Sequence, residues 1–341
     1  MSLRASFEKK VFEFKHPSGT SRGILTEKKA WFITVWNQNT PEIKGVGECS
    51  VIPGLSPDYE NDLQYANKVK EVVTDVDYFS LNSELLRDFP SIYFGLEMAL
   101  LDLKNGGKGV FYETEFTNGK QAIPINGLIW MGDEAFMQSQ ITQKLAEGFS
   151  CIKMKIGAID FDKELEILAG IRKQVSAEEI TLRVDANGAF SPEEAPEKLR
   201  RLSEFELHSI EQPIRQGQTE AMHSLCAKNI LPIALDEELI GIHDFEEKKQ
   251  LLDKIQPQYV ILKPSLIGGF KGTKEWIELA EERNIPWWIT SALESNIGLD
   301  AIAQFTSTYE ITLPQGLGTG ALYTNNTPSL LKVEKGELLR K

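Results

Sequence analysis

The pattern of apolar and polar residues changes near the middle of the chain. Three short β-prone runs come first, separated by polar or glycine-bearing turns: Phe7 to Phe14, Ala30 to Trp36 and Ile43 to Cys49. The stretches Lys15 to Gly23 and Val51 to Pro57 are typical of loops. The run Ser91 to Lys104 is apolar around most of a helical circumference, which predicts a buried helix. Strands followed by helices predict an α+β domain over residues 1–120.

From residue 121 the pattern becomes an alternation of strands and helices. Eight β-prone runs recur: Ala122–Ile129, Cys151–Ile156, Thr181–Ala186, Leu207–Gln212, Pro232–Glu237, Tyr259–Lys263, Pro286–Ser291 and Ile311–Gln315. Their spacing of about 25 to 30 residues suits one strand and one helix per unit. This predicts a (β/α) barrel over residues 121–316, with an open doubly wound sheet as the alternative. Barrel closure is favoured because no glycine-rich dinucleotide fingerprint opens any unit.

Composition and charge narrow the class of protein. The 341 residues carry a net charge of −13 and a pI near 5.0. Because phosphate contacts need clustered Lys and Arg, this argues against a nucleic-acid partner. No window reaches the length of a membrane span, and the N-terminus lacks the apolar core of a secretion signal. Three scattered cysteines fit a reducing compartment, so we expect a cytoplasmic protein; its oligomeric state stays open.

Charged residues mark the ends of the predicted barrel strands, where the active sites of such barrels lie. Lys153 and Lys155 share one face of an apolar strand, since side chains at i and i+2 point the same way. The next four strands end in further charged or polar residues: Arg183, Asp185 and Asn187, then Glu211, then Asp236, then Lys263. Each terminates an apolar run, so each is expected to point into the mouth of the barrel.

The three carboxylates of this set predict a metal site. Asp185, Glu211 and Asp236 are hard oxygen ligands that would repel one another without a cation, and Mg²⁺ is the natural choice. Lys155 and Lys263 would flank the metal from opposite sides. That layout suits removal of a proton from the carbon next to a carboxylate, with a lysine as the base.

These segments resemble the enolase superfamily, in the subgroup of muconate-lactonising enzymes that has a lysine on each side of the site. The likeness rests on Lys153-x-Lys155, Asp185-Ala186-Asn187, Glu211-Gln212-Pro213, Asp236-Glu237 and Lys263-Pro264. Gly45–Ser50 and Pro53–Ser56 resemble its capping domain, whose two loops close over the substrate. The resemblance implies a (β/α)7β barrel, a cap completed by the tail 317–341, and specificity set by loops near Arg22 and Leu55.

Two later segments resemble the dehydratases of this subgroup that serve menaquinone synthesis, Ser291–Leu299 and Gly316–Gly320. The resemblance implies a metal-dependent carbon–oxygen lyase that converts 2-succinyl-6-hydroxy-2,4-cyclohexadiene-1-carboxylate to 2-succinylbenzoate. It implies that Lys155 carries out the proton transfers and that Lys263 stabilises the anionic intermediate. The implied cofactor is Mg²⁺, with Mn²⁺ as a substitute. The remaining residues that it assigns support the site (Lys153, Arg183, Asn187) or contact the carboxylate substrate (Ser291, Gly318, Thr319).

The sequence leaves three other functions open. A dipeptide epimerase of the same subgroup carries an Asp-x-Asp at the eighth strand to hold the substrate ammonium group, and Leu313–Gly318 offers no acid. N-acylamino acid racemisation, which some synthases of this subgroup also catalyse, is a further alternative within the same fold. A barrel retained as a binding or scaffold protein is the alternative outside enzymes, which the intact set of lysines and carboxylates disfavours.

Overall fold

The N-terminal domain begins with a three-stranded antiparallel sheet. In a computed structural model the chain is described for residues 2–20, 23–130 and 132–341. The sheet comprises β1 (Leu3–Thr20), β2 (Gly23–Asn37) and β3 (Thr40–Val51), in that order. The loop predicted from Lys15 is therefore wrong as far as Thr20, because pairs such as Ser18 with Leu25 extend the β1–β2 ladder. Arg22, proposed to set specificity, lies outside the described residues.

Helices cover one face of this sheet. They are α1 (Asp62–Thr74), α2 (Val76–Leu81), a 3-10 helix (Ser83–Leu86) and α3 (Pro90–Lys104). The predicted buried helix is confirmed as α3, which packs directly on β3. A Cβ atom on Gly47 would lie 1.8 Å from the carbonyl oxygen of Gly95, so glycine is needed for this close approach. Trp31, Tyr65 and Leu96 belong to the apolar core between the helices and the sheet.

The second domain is a parallel barrel, as predicted. Its seven hydrogen-bonded strands follow chain order: β5 (Gly127–Ile129), β6 (Cys151–Lys155), β7 (Thr181–Asp185), β8 (Ser209–Glu211), β9 (Ile233–Leu235), β10 (Tyr259–Leu262) and β11 (Trp287–Ile289). Seven helices follow them in turn, α4 (Glu134–Ala146), α5 (Phe161–Gln174), α6 (Ala195–Ser203), α7 (Thr219–Lys228), α8 (Phe245–Ile255), α9 (Gly269–Glu282) and α10 (Asn296–Thr306), and a 3-10 helix (Glu237–Leu239) precedes α8.

The eighth position of the barrel is held by isolated bridges. The run predicted as a strand over Ile311–Gln315 forms no regular strand, because Gln315 and Gly316 pair only singly, with Ile125 and Thr290. These two parallel bridges join the first and seventh barrel strands through the 315–316 backbone. The barrel therefore closes, and the open-sheet alternative is wrong.

The C-terminal tail returns to both domains. A hairpin of β12 (Leu331–Glu334) and β13 (Glu337–Arg340) pairs with β4 (Ile123–Pro124), just before the barrel. Nearer the barrel, Tyr323 bridges Phe14 on the edge of β1. In residues 2–20, 23–130 and 132–341, no helix combines the length and apolar character needed to cross a membrane.

Candidate active site

The predicted charged residues meet at the carboxyl ends of five neighbouring strands, β6 to β10. Lys155, Asp185 and Glu211 lie side by side in the register of β6, β7 and β8. Asp236 and Lys263 follow directly after β9 and β10. Because parallel strands share one carboxyl edge, residues far apart in sequence face one another here.

The two lysines of β6 are buried and hydrogen-bonded, which confirms the prediction that they share one inward face. Each is only 9% exposed. Nζ of Lys153 donates to Oδ2 of Asp185 at 2.9 Å and to Oε2 of Glu211 at 2.6 Å. Nζ of Lys155 donates to the same Asp185 oxygen at 2.9 Å and to Oδ1 of Asn187 at 2.7 Å. Asp185 therefore joins both lysines, and Asn187 holds Lys155 from the other side.

A third lysine completes the group from the opposite side. Nζ of Lys263 donates a short hydrogen bond to Asp236 and lies 3.7 Å from Oε1 of Glu211. Lys153 and Lys263 thus approach different oxygens of the same Glu211 carboxylate. The arrangement places one lysine–carboxylate pair on each side of this glutamate.

Electrostatics in this group reflect competition between burial and ion pairing. Burial lowers the pKa of Lys153 and Lys263, yet the surrounding carboxylates outweigh it and raise both. Burial opposes ionisation of Asp185, but its lysine partners hold the pKa of that carboxyl well below its usual range. For Asp236, burial together with the adjacent Glu237 raises the pKa. At Asp236, on the acid-rich side of the site, the carboxylate charge is thus the least compensated by neighbouring cations.

The three carboxylates are chemically suitable ligands for a divalent cation, although lysine ammonium groups lie among them. Across the described ranges, no three acidic, histidine or cysteine side chains converge closely enough to surround an ion. Asp185, Glu211 and Asp236 are nevertheless at most 2% exposed. Oε1 of Glu211 makes no hydrogen bond within the described part of the chain. A buried acceptor oxygen without a donor, between two further carboxylates, suits a hard cation such as Mg²⁺.

A cavity of about 160 Å³ opens above the lysines and reaches into the N-terminal domain. From the barrel it is lined by charged and polar side chains that include Lys155 and Lys263. The N-terminal domain adds an apolar lid, formed by residues at the start of β2 and in the loop after β3: Gly23, Ile24, Leu25, Ile52, Pro53 and Leu55. The cavity therefore offers cations below and apolar surface above, as a site for an apolar carboxylate would.

Arg183 lies one layer below the metal-ligand candidates. Its side chain is 1% exposed, and its guanidinium stands 4.0 Å from the centre of the Trp288 ring. Nη1 donates to the carbonyl of Pro314 at 2.8 Å. Strand parity correctly predicts that Arg183 points inward, but its guanidinium donates to Pro314 on the far wall of the barrel and not to Asp185.

The three predicted substrate contacts all line the cavity. Ser291 already donates its hydroxyl to Glu294 at 2.6 Å. Thr319 is 8% exposed and its Oγ1 has no hydrogen-bond partner among the described residues. Gly318 leaves room, since a Cβ there would come no closer than 3.4 Å to a neighbouring atom. Thr319 is thus the best placed of the three to give a hydrogen bond to a ligand.

Several residues that line the cavity are not among the site residues predicted from the sequence. Asn126, Leu128 and Trp130, which lie just before, within and just after β5, contribute to the cavity wall. The only signal for them is one polar residue, Asn126, inside the apolar run Ala122–Ile129. Lys28 and Glu48 of the N-terminal sheet, both buried, were also not assigned a role.

Comparison with known proteins relates the whole chain to one family. Residues 137–339 match the family model described as Enolase C-terminal domain-like. The o-succinylbenzoate synthase of Desulfotalea psychrophila is 51% identical over 98% of both chains. An N-succinylamino acid racemase from an Amycolatopsis species is 25% identical over 81% of this chain and 75% of its own.

Solved structures agree with this relationship. The crystal structure of MenC from Desulfotalea psychrophila superposes with a TM-score of 0.84 and 47% identity, covering 99% of this chain and all of that one. A dipeptide epimerase from Cytophaga hutchinsonii, complexed with Mg and a dipeptide, has the same TM-score at 22% identity, covering 99% and 93%. The second likeness concerns the fold alone. By its family model and its full-length relative, the chain belongs to the enolase superfamily and, within it, to the family of o-succinylbenzoate synthases.

Proposed function

We propose that this chain is an o-succinylbenzoate synthase of menaquinone biosynthesis. It removes water from 2-succinyl-6-hydroxy-2,4-cyclohexadiene-1-carboxylate and releases 2-succinylbenzoate. The observation that carries this proposal is the 51% identity along 98% of both chains. The buried lysines facing an apolar-lidded cavity support it independently, because they suit proton transfer on a carboxylate substrate.

In this proposal Asp185, Glu211 and Asp236 hold Mg²⁺, with Mn²⁺ as a substitute. The metal supplies positive charge to the substrate carboxylate and so favours loss of the neighbouring proton. Lys153 orders two of these carboxylates, since its ammonium group hydrogen-bonds both Asp185 and Glu211.

Lys155 carries both proton transfers. Its amine takes the proton from the ring carbon that bears the carboxylate, and the C–H electron pair enters the conjugated system. The resulting ammonium then gives a proton to the ring hydroxyl as the C–O bond breaks, and water leaves with the electron pair of the C–O bond. One group acting twice requires both events on the same face, which makes the elimination syn.

Lys263 stays protonated on the opposite side and stabilises the negative charge that develops. Its hydrogen bond to Asp236 fixes the direction of its ammonium group. The apolar surface of Leu25, Ile52 and Leu55 would cover the ring and exclude water during the reaction.

The direct test mixes purified protein, Mg²⁺ and the cyclohexadiene substrate, and follows the ultraviolet absorbance of the diene. We expect the absorbance to fall as the aromatic product forms, and no fall in the presence of a chelator. Absence of turnover at micromolar enzyme would contradict the proposal.

Amino acid racemisation is a second candidate activity of the same site. The 25% identity to an N-succinylamino acid racemase favours it. Against a dipeptide substrate stands Gln315 at the eighth strand position, whose side chain is already engaged with Ile289 and Leu313. Incubation with N-succinylamino acids in D₂O would show racemisation as deuterium at the α-carbon.

A further inference from the structure

One wall of the cavity is a short segment in a strained conformation. After β11, residues Ser291, Ala292 and Leu293 line the cavity. Leu293 has a φ of 63°, in the left-handed region that residues other than glycine rarely adopt. Such a conformation persists only where surrounding contacts enforce it, and it is found mainly at functional sites.

The two carbonyl groups around the strained residue are fixed from outside the barrel. The carbonyl of Ala292 accepts a short hydrogen bond from Nζ of Lys28, on β2 of the N-terminal domain. The carbonyl of Leu293 accepts one from the hydroxyl of Tyr323, in the C-terminal tail, at 2.6 Å. The two donors come from opposite ends of the sequence, so the wall takes its shape only when both are docked on the barrel.

The same segment is hydrogen-bonded to the loop after β10, which begins with Lys263. The Glu294 carboxylate accepts hydrogen bonds from Ser265 at 2.5 Å and from Ser291 at 2.6 Å. Ser265 stands two residues after Lys263 in sequence. A displacement of this wall would therefore also displace Glu294 and, through Ser265, the loop that follows Lys263.

Lys28 is buried at a cost that its surroundings only partly offset. It is 3% exposed, and burial lowers its pKa to about 8 despite the opposing charges of Glu294 and Glu48. Glu48 in turn accepts the backbone N–H of Ser295 at 2.8 Å. Lys28 is not among the described residues that line the cavity. A buried ammonium group that touches the wall but not the cavity acts on a ligand only through the wall.

We propose that Lys28 is a positioning residue that holds the 292–293 peptide in its strained form and so shapes the cavity for the carboxylate substrate. The inference rests on the proposed dehydratase function, and it assigns a residue of the N-terminal domain to substrate recognition. Lys28 does not take part in proton transfer. Its loss should therefore weaken binding and leave the chemical step largely intact.

The test compares Lys28→Met with Lys29→Met. The neighbouring Lys29 donates instead to Asp62 at 3.3 Å and Tyr59 at 3.4 Å, away from the wall. Because a hydrogen bond from a charged donor is lost, Lys28→Met should raise KM about tenfold and change kcat by less than about threefold. The dissociation constant of 2-succinylbenzoate, measured by calorimetry, should rise with KM. Lys29→Met should leave all three values unchanged.

A second variant keeps the inference testable if Lys28→Met folds poorly. Tyr323→Phe removes only the hydroxyl that holds the Leu293 carbonyl, and KM should again rise severalfold with little change in melting temperature. A fall in active fraction at unchanged KM, in both variants, would show a merely structural role and overturn the inference. No turnover by the unmodified enzyme would instead overturn the proposed function, and this inference with it.

Discussion

Lys153 and Glu211 form an ion pair of 2.6 Å inside the barrel, with side chains only 11% and 2% exposed. The same ammonium group reaches Asp185 on the strand between them. Lys153 therefore neutralises two carboxylates that are also the proposed ligands of a divalent cation. Ammonium and metal ion act on the same carboxylates, so each should affect how strongly the other is held.

Replacement of Lys153 by Met tests this relationship. Removal of one partner of a buried ion pair typically costs about 3–5 kcal/mol, because the other charge is left uncompensated. We expect a loss of that order in the free energy of unfolding, measured with urea in the presence of a chelator. Added Mg²⁺ should recover part of the loss by supplying charge to the freed carboxylates. An equal loss with and without Mg²⁺ would argue that the metal lies elsewhere.

Replacement of Glu211 by Gln tests the ligand set itself. An amide is a weaker ligand than a carboxylate, so the affinity for Mg²⁺ measured by calorimetry should fall about tenfold or more. Glu238→Gln is the matched control, since Glu238 is also buried after a strand but accepts from Gln212 and Gly217. Equal metal affinity in the two variants would refute the proposed role of Glu211.

The lysines on either side of the site should be needed for turnover and not for folding. General acid–base groups contribute about 10²- to 10⁴-fold, so Lys155→Ala and Lys263→Ala should each lower kcat by at least about that factor. Circular dichroism should show an intact fold. Lys163→Ala, on the exposed face of α5, is the control and should retain full activity. Near-normal turnover by Lys155→Ala would remove it as the base.

The barrel part of this site could be predicted from sequence because the relevant rule is local. A charged residue that ends an apolar run lies at the end of a strand, and parity decides that it points inward, as for Lys155 and Asp185. The alternation of side chains along a strand does not, however, show how deep in the barrel an inward-facing residue lies. Arg183 shares the inward face with Asp185, but a separation of two residues along a strand, about 6.6 Å, places it beneath the carboxylates and against Trp288.

Contacts between the domains could not be predicted in this way. Lys28 and Ala292 are 264 residues apart, and nothing in the pattern of β2 indicates which surface that strand will cover. The residues from Lys15 to Thr20 look like a loop because Pro, Gly and Ser interrupt the apolar pattern. They nevertheless lie in β1, because its pairing with β2 resumes at Ser18 and outweighs the weak local preference of this segment.

Glu97 connects the two domains and should make their association depend on pH. It projects from α3, and its carboxylate accepts the backbone N–H groups of Phe270 at 2.6 Å and Lys271 at 3.2 Å, at the start of α9. Burial outweighs these hydrogen bonds and raises the pKa of Glu97 to about 7. An exposed glutamate in the unfolded chain has a pKa of about 4.3.

The sign of the effect follows from proton linkage. Between these two pKa values the folded protein binds the proton that the unfolded chain has released, so this group's contribution to stability falls as pH rises from about 4.3 to about 7. Glu97→Gln removes that titration and keeps an acceptor oxygen for the helix. Relative to the unmodified protein, the variant should therefore gain about 1–3 kcal/mol in unfolding free energy between pH 5 and pH 8. Urea unfolding at both values measures this difference, and a difference independent of pH would show that Glu97 is already ionised in the folded protein at pH 5.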